Sequence, residues 1–397
     1  MDTILNSQTK TNALLIVFII ALTNLANIIV FYTNMYVVLV NIIFIFTAVT
    51  FSIINNQLNG ELFVNNKVWG IILAMILFFI INIFLVEGYT LLALSEFGKF
   101  VIYGLSALFI SSFKFDIKAF KIYWYKFSIL FFLVLHLILP SVVSRDFSYM
   151  QAGFIINFIM VGLVFKYFEK YNNRWLIAVF YLLLLSLLFG HRGSLLVNIF
   201  LIGFLLIKSK KVTQKHLLFW VPILLISFIV MFRFNLFTRI YDFLASQMTF
   251  FNSYSLRKIL SDLENGTLDL SGRESFYSVS WDLIKNNFFV IPNGFGKFQH
   301  VSDLIFPHNI FLDMYLVFGV FSLIIIFYFV STVKKIDLFS SSDFQLVYAS
   351  IFIYSIIRLL TGGSFLTDVS FWVLIGMSIN YHLYNNEQVN TMYELLR

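Results

Sequence analysis

The chain has no cysteine, only four prolines in 397 residues, and charged residues at only 12% of its length. Without cysteine there can be no disulfide, no thiolate metal site and no cysteine nucleophile. So few charges exclude an ordinary soluble domain, where about a quarter of residues are charged. No P-loop, no two-histidine helix motif and no Ser-centred elbow occurs. Gly294-Phe295-Gly296 lacks the preceding strand and third glycine of a dinucleotide fingerprint. Ligands for a metal are almost absent, and no nucleic-acid module is present. The expectation is therefore a protein without metal or cofactor.

What the chain does have is apolar surface. Hydrophobic residues make up 60% of it, 51 of the residues are Phe, and the mean hydropathy is +0.89. A soluble fold cannot hide that much apolar surface from water, so lipid must cover much of it. A helix crosses a bilayer with about 20 apolar residues, and runs of that kind number about 12. They fall at 13–30, 34–54, 68–86, 92–113, 127–144, 152–166, 175–190, 193–207, 217–232, 309–330, 345–360 and 369–384. The fourth carries Glu96 and Lys99. The stretch 175–207 as one helix would be about 50 Å long, beyond the ~30 Å hydrocarbon core. Gly190-His191-Arg192-Gly193 in its middle therefore reads as a tight turn between two spans. The polar start of the chain has one basic residue, Lys10, and no small-residue cleavage site, so the first apolar run reads as a retained span.

Orientation follows from Lys and Arg in short loops. Lys114, Lys118, Lys121 and Lys126 form one group, and Lys166, Lys170 and Arg174 a second. Lys208, Lys210, Lys211 and Lys215 form a third, with Lys334 and Lys335 last. All four groups fall on one side, which is expected to be cytoplasmic and to hold both termini. The net charge of +7 is thus a topology signal rather than a nucleic-acid footprint. The expected fold is an all-α polytopic membrane protein, one membrane domain over 1–397. Segment 233–308 is its single long extracytoplasmic loop. The loop carries short helices, the first an apolar one over Phe237 to Ile259.

On the side opposite the lysines, the cations are mainly arginine: Arg145, Arg192, Arg233, Arg239, Arg273 and Arg358. Lysine serves as a hydrated point charge, whereas the planar guanidinium binds phosphate through two parallel hydrogen bonds. The plain alternative for any one of them is an interfacial Arg reaching lipid headgroups. Arg192 sits in a short turn beside His191, and Gly193 leaves room for a ligand. Ser271-Gly272-Arg273-Glu274 has the pattern of a capping box, followed by an apolar stripe of Phe276, Trp281 and Ile284. Arg273 then lies in a first helical turn, where the dipole disfavours a cation and a bound anion offsets this. The alternative there is a solvated Arg neutralised by Glu274. His308 begins the tenth span within Pro307-His308-Asn309. The positive end of a helix favours a neutral imidazole, which can act as general base, although a purely structural hydrogen bond is the bland reading. His136 is expected to be buried. His216, His300 and His382 read as boundary or loop residues.

In order, Arg192-Gly193-Ser194, then Ser271-Gly272-Arg273 with Trp281, Pro292, Gly294 and Gly296, then His308-Asn309 with Leu312 and Gly319 form a series. This series resembles the O-antigen polymerase and O-antigen ligase superfamily of bacterial membrane glycosyltransferases. It is confined to residues 190–320. His191 stands where the family often has Ser, and Val317 where many members have an acid, which leaves open which carboxylate, if any, assists His308; Asp313 is a substitute candidate.

The resemblance implies an inverting transfer of a growing glycan from undecaprenyl diphosphate to a lipid-linked acceptor. It makes Arg192, Arg273 and His308 catalytic. His191, Arg233, Arg239, Gly294, Gly296, Asn309, Asp313 and Arg358 then belong to a second tier of diphosphate- or glycan-binding residues. The implied partners are the donor and acceptor lipids, membrane lipids, a chain-length regulator and a flippase. An O-antigen-type ligase shares the motifs and differs in its acceptor. A lipid-linked sugar flippase or transporter would set polar residues near the membrane midplane. Here they gather at one edge and in one loop, which favours an enzyme.

Overall fold

A computed structural model describes residues 2–33, 35–57, 66–85, 88–144, 146–170, 174–189, 191–209, 273–302, 306–334, 336–337, 340, 342–379 and 381. The expected ninth span, the helix over Phe237 to Ile259, Arg145, Arg233 and Arg239 lie outside these residues. Every described element is helical and no strand occurs among them. Among the described residues seven helices are long and apolar enough to cross a membrane, and four shorter apolar helices lie at Val68–Phe84, Arg174–Leu187, Gly193–Lys208 and Val369–Ile379. The protein is an all-α membrane protein.

The chain divides into two compact units, one of 1–124, 273–337 and 341–397, the other of 125–272 and 338–340. In the first, α1 (Asp2–Thr33) and α2 (Val37–Gln57) are locked by amide side chains. Asn12 Nδ2 donates to Asn56 Oδ1 (3.1 Å) and Asn56 Nδ2 donates back to Asn12 Oδ1 (3.2 Å). Gln8 Nε2 joins them on Asn56 Oδ1 at 3.1 Å. Such pairs hold helices together where apolar contacts with lipid and with protein are nearly equivalent. α3 (Asn66–Leu85) and α2 turn large apolar residues outward, Phe46 and Phe84 among them, as lipid-facing helices do.

α4 (Thr90–Ser111) contains the Glu96 that makes its sequence look poorly suited to a membrane. Lys99 Nζ lies 2.6 Å from Glu96 Oε1 one turn away, so the helix carries its own counter-charge. A π-helical turn over Val101–Leu105 follows. α5 (Ile117–Val143) begins ten residues before the apolar run, because its first turns are lined with lysines. Pro140 sits three residues from its end, where the helix simply finishes. His136, expected to be buried, is instead on the exposed surface of α5, with Nε2 2.8 Å from Tyr181 Oη.

In the second unit, α6 (Tyr149–Lys170) packs against both α7 (Arg174–Phe189) and α8 (Arg192–Lys208). The stretch 175–207 is thus two apolar helices rather than one, with Gly190 outside the described residues.

The first unit continues with α9 (Arg273–Asn286), α10 (Lys297–Ser302) and α11 (Ile310–Ser331), then α12 (Asp343–Thr361) and α13 (Val369–Ile379). α13 is buried from Val369 to Ser378 and packs on α1, α3, α4 and α12. Gly376 permits a close approach to α4: a Cβ there would lie 2.0 Å from Ser111 Oγ. α12, like α4, has a π-helical turn, over Ile353–Ile357.

Contacts within the first unit sort into two ends. At one end Lys121 pairs with Asp343 and Asn12 Nδ2 donates to the Lys114 carbonyl. At the other, Tyr89 Oη reaches the Asn293 carbonyl and Ser364 Oγ donates to Asp313.

Candidate functional site

His308 stands at the second of these ends. Its backbone is left-handed (φ 56°), one of three non-glycine residues so placed among those described. A side chain with a Cβ resists that conformation by roughly 1–2 kcal/mol, and such strain gathers at functional positions. The ring is fixed on two sides. Phe306 lies 4.4 Å away centroid to centroid, and Phe276 meets it edge-on at 4.9 Å. On a third side is Gly362, the residue after α12, where a Cβ would lie 3.5 Å from Nδ1.

The true cap of α11 is Asn309. Its Oδ1 accepts from Phe311 N at 3.0 Å and Leu312 N at 3.3 Å, satisfying two of the free N–H groups of the first turn. Asn309 therefore sets the angle at which the chain leaves His308. Asp313, one turn on, is buried. It accepts from Ser364 Oγ at 2.6 Å and from Phe365 N at 3.3 Å. Asp313 thus holds the Gly362–Asp368 loop, which in turn runs past His308.

Arg273 is the first residue of α9, with Glu274 beside it in the first turn. Ser271 and Gly272 lie outside the described residues, so the expected capping box does too. Phe276, three residues after Arg273, is the residue against the His308 ring, so the start of α9 and His308 share one end of the unit. The apolar stripe differs from the expected one. Val279, Leu283 and Ile284 turn inward with Phe276 toward Phe298, Leu312, Tyr315 and Leu316, while Trp281 is 47% exposed. Helical spacing from Phe276 admits either set; the packing partner on α11 selects it.

Arg358 belongs to the same end, but inside the protein. Nε lies 3.3 Å from Asp368 Oδ2, with the Arg side chain 17% and the Asp side chain 3% exposed. Asp368 Oδ1 accepts from Phe371 N at 2.9 Å, so this carboxylate both caps α13 and neutralises Arg358. Tyr354, fully buried, lies beside Arg358 and Asn24. A pairing with Asp368 gives Arg358 a reason to be there without any bound phosphate.

Gly294 and Gly296 are filled by protein. Both have positive φ, +78° and +81°, and a Cβ on Gly294 would lie 1.8 Å from Asn82 Nδ2. Between them Phe295 is fully buried among Phe79, Phe97, Phe100 and Phe318. Gly319 is closed off too, here by backbone, with a Cβ 2.6 Å from the Val290 carbonyl.

Arg192 and His191 lie in the second unit. His191 is the N-cap of α8, its Nδ1 accepting from Ser194 N at 3.2 Å. Ser194 Oγ lies 2.7 Å from both Gly153 O and Asn157 Oδ1 of α6, which pins the turn carrying Arg192. His191, where the resembled family often has Ser, thus does what a capping Ser would do.

Two features escaped the sequence reading. The Gly362-Gly363-Ser364 loop was signalled by its Gly-Gly pair between two apolar runs. Asp368 was signalled by its place just before the last span, where an N-cap residue belongs. Among the described residues no three His, Asp or Glu side chains gather as a metal site. No family model, curated protein or solved structure matches the chain.

Proposed function

We propose that this protein polymerises lipid-linked polysaccharide repeat units. It would transfer a growing glycan from undecaprenyl diphosphate to an acceptor repeat unit on the outer face of a bacterial cytoplasmic membrane. On this reading the chain has 12 spans, both termini are cytoplasmic, and the His308 end of the first unit faces outward. One observation supports it most: a histidine in strained backbone, at the head of a membrane helix, clamped against the first turn of the helix that Arg273 begins.

In the reaction the acceptor hydroxyl attacks the anomeric carbon and the bond from that carbon to the diphosphate oxygen breaks. His308 takes the hydroxyl proton, and the electron pair leaves with the diphosphate. Arg273 stabilises the charge that grows there, with Arg192 as the second cation that the resemblance implies. Asn309 and Asp313 are positioning residues, one fixing the start of α11 and the other the loop beside the imidazole.

Purified protein in vesicles with lipid-linked repeat units tests this reading directly. Long polymer on the lipid carrier supports a polymerase. Transfer only to a lipid A core acceptor makes it a ligase. Movement of intact lipid-linked sugar across the bilayer, with no new glycosidic bond, overturns both.

A further inference from the structure

Phe288, Phe289, Val290 and Ile291, between α9 and α10, are 79%, 49%, 54% and 53% exposed. Four consecutive large apolar side chains pointing outward need a covering partner. The backbone beneath them is closed on itself. The N–H groups of Phe288 to Ile291 donate back to the carbonyls of Ile284, Lys285 and Asn287. Pro292 has no N–H, and the next two residues donate to the span itself, Asn293 N to Leu316 O at 2.9 Å and Gly294 N to Val317 O at 3.2 Å. Phe295 N ends on Asn82 Oδ1.

Those span carbonyls are free because α11 breaks at Gly319 (φ 56°). Val320 N donates to Val290 O (3.2 Å) in place of Leu316 O. The loop and the broken helix thus complete each other's hydrogen bonds. An irregular loop in water has no need of this, because water serves its amides. In hydrocarbon it is obligatory.

The depth agrees. About 20 residues counted back from Val333, at ~1.5 Å each, span the ~30 Å core and reach Met314. Gly319 then lies roughly 7 Å inside. Below it α11 exposes further large apolar residues, Phe321, Leu323, Ile324 and Phe327. Ahead of the tip, α9 exposes Asp282 and Lys285, which suit headgroups, and Trp281, a residue favoured at the interface.

We propose that Phe288–Ile291 is a lipid-inserted tip, seated among acyl chains at the hydrocarbon edge beside the break in α11. The tip would fix α9 at headgroup level.

The chain contains no cysteine, so single-cysteine variants can be spin-labelled directly. Phe288→Cys and Ile291→Cys in phosphatidylcholine–phosphatidylglycerol vesicles would be compared with Phe327→Cys on the span and Glu274→Cys on α9. Oxygen concentrates in hydrocarbon and a nickel chelate stays in water. Labels at the tip should collide more with oxygen than with nickel, as at Phe327, with the order reversed at Glu274. Nickel collisions at the tip equal to those at Glu274 overturn the proposal. So does shielding from both reagents, which would mean that a second copy or another segment of the chain covers the tip. Val290→Cys replaces Phe288→Cys if loss of the left-handed Phe impairs insertion. No substrate is needed, so the result stands whatever reaction the protein performs.

Discussion

Gly362 stands against the imidazole of His308, a Cβ on it falling 3.5 Å from Nδ1. Its own φ of 166° is extended backbone open to any residue, so space rather than strain decides what a substitution does. Gly362→Ala brings an ordinary contact and should leave most activity. Gly362→Val adds branches that must push the ring, and a displacement of about 1 Å in a catalytic group can cost ~100-fold. Single-turnover transfer should fall accordingly with the protein still inserted. Normal turnover in the Val variant would leave Gly362 as a plain turn residue.

Gly294 and Gly319 should behave in the opposite way. Alanine at either carries a side chain in a positive-φ conformation, costing roughly 1–3 kcal/mol. It also drives into Asn82 or the Val290 carbonyl, adding roughly 1–3 kcal/mol of overpacking. Both variants should lose thermal stability in detergent, and product in proportion. A wild-type Tm with no product would make the glycine a substrate contact instead.

The sequence made the fold class legible because a bilayer imposes a length and a polarity that few other structures share. The short turn at His191 followed from helix length alone. Legibility failed where a partner distant in the chain decides the outcome. Arg358 read as a phosphate ligand because Asp368, ten residues on, could not be seen folding back on it. Gly294 and Gly296 read as binding residues because Asn82, Phe79, Phe97 and Phe100, which close around this segment, come from about two hundred residues earlier. Trp281 read as part of one apolar stripe with Phe276 and Ile284 because spacing does not say which side of a helix meets α11.

The Arg358–Asp368 pair gives a third prediction. Removing one partner of a buried pair strands the other, at about 3–5 kcal/mol. Arg358→Met alone should therefore cost more stability than Arg358→Met combined with Asp368→Leu. Thermal unfolding of the single and double variants measures this. If Arg358→Met keeps its Tm but raises the donor KM, Arg358 is a substrate ligand after all.

Arg192 and Arg273 should not tolerate lysine. Arg192→Lys and Arg273→Lys keep the charge but lose the paired hydrogen bonds to a diphosphate. Each should insert normally and make little polymer. Polymer of full length from either variant would show a residue that only meets lipid headgroups.

His308 gives the most discriminating test, because its backbone and its ring make separate predictions. The left-handed φ of 56° is resisted by any side chain with a Cβ and welcomed by glycine. Both His308→Ala and His308→Gly lose the contacts with Phe276 and Phe306, so the difference between them isolates the strain. His308→Gly should be the more stable of the two by about 1 kcal/mol. Both should lose transfer by about 10²–10⁴-fold, the usual worth of a general base, while binding lipid-linked donor through the arginines. Tm, donor binding and single-turnover rate, measured on the same preparations, separate the three effects. A glycine variant more stable than alanine yet equally inactive means that the fold tolerates strain in order to hold an imidazole there. If instead either variant binds donor poorly and transfers at the normal rate once saturated, His308 is a binding residue. The base is then to be sought at Asp313, which the same loop already joins to this end of the unit.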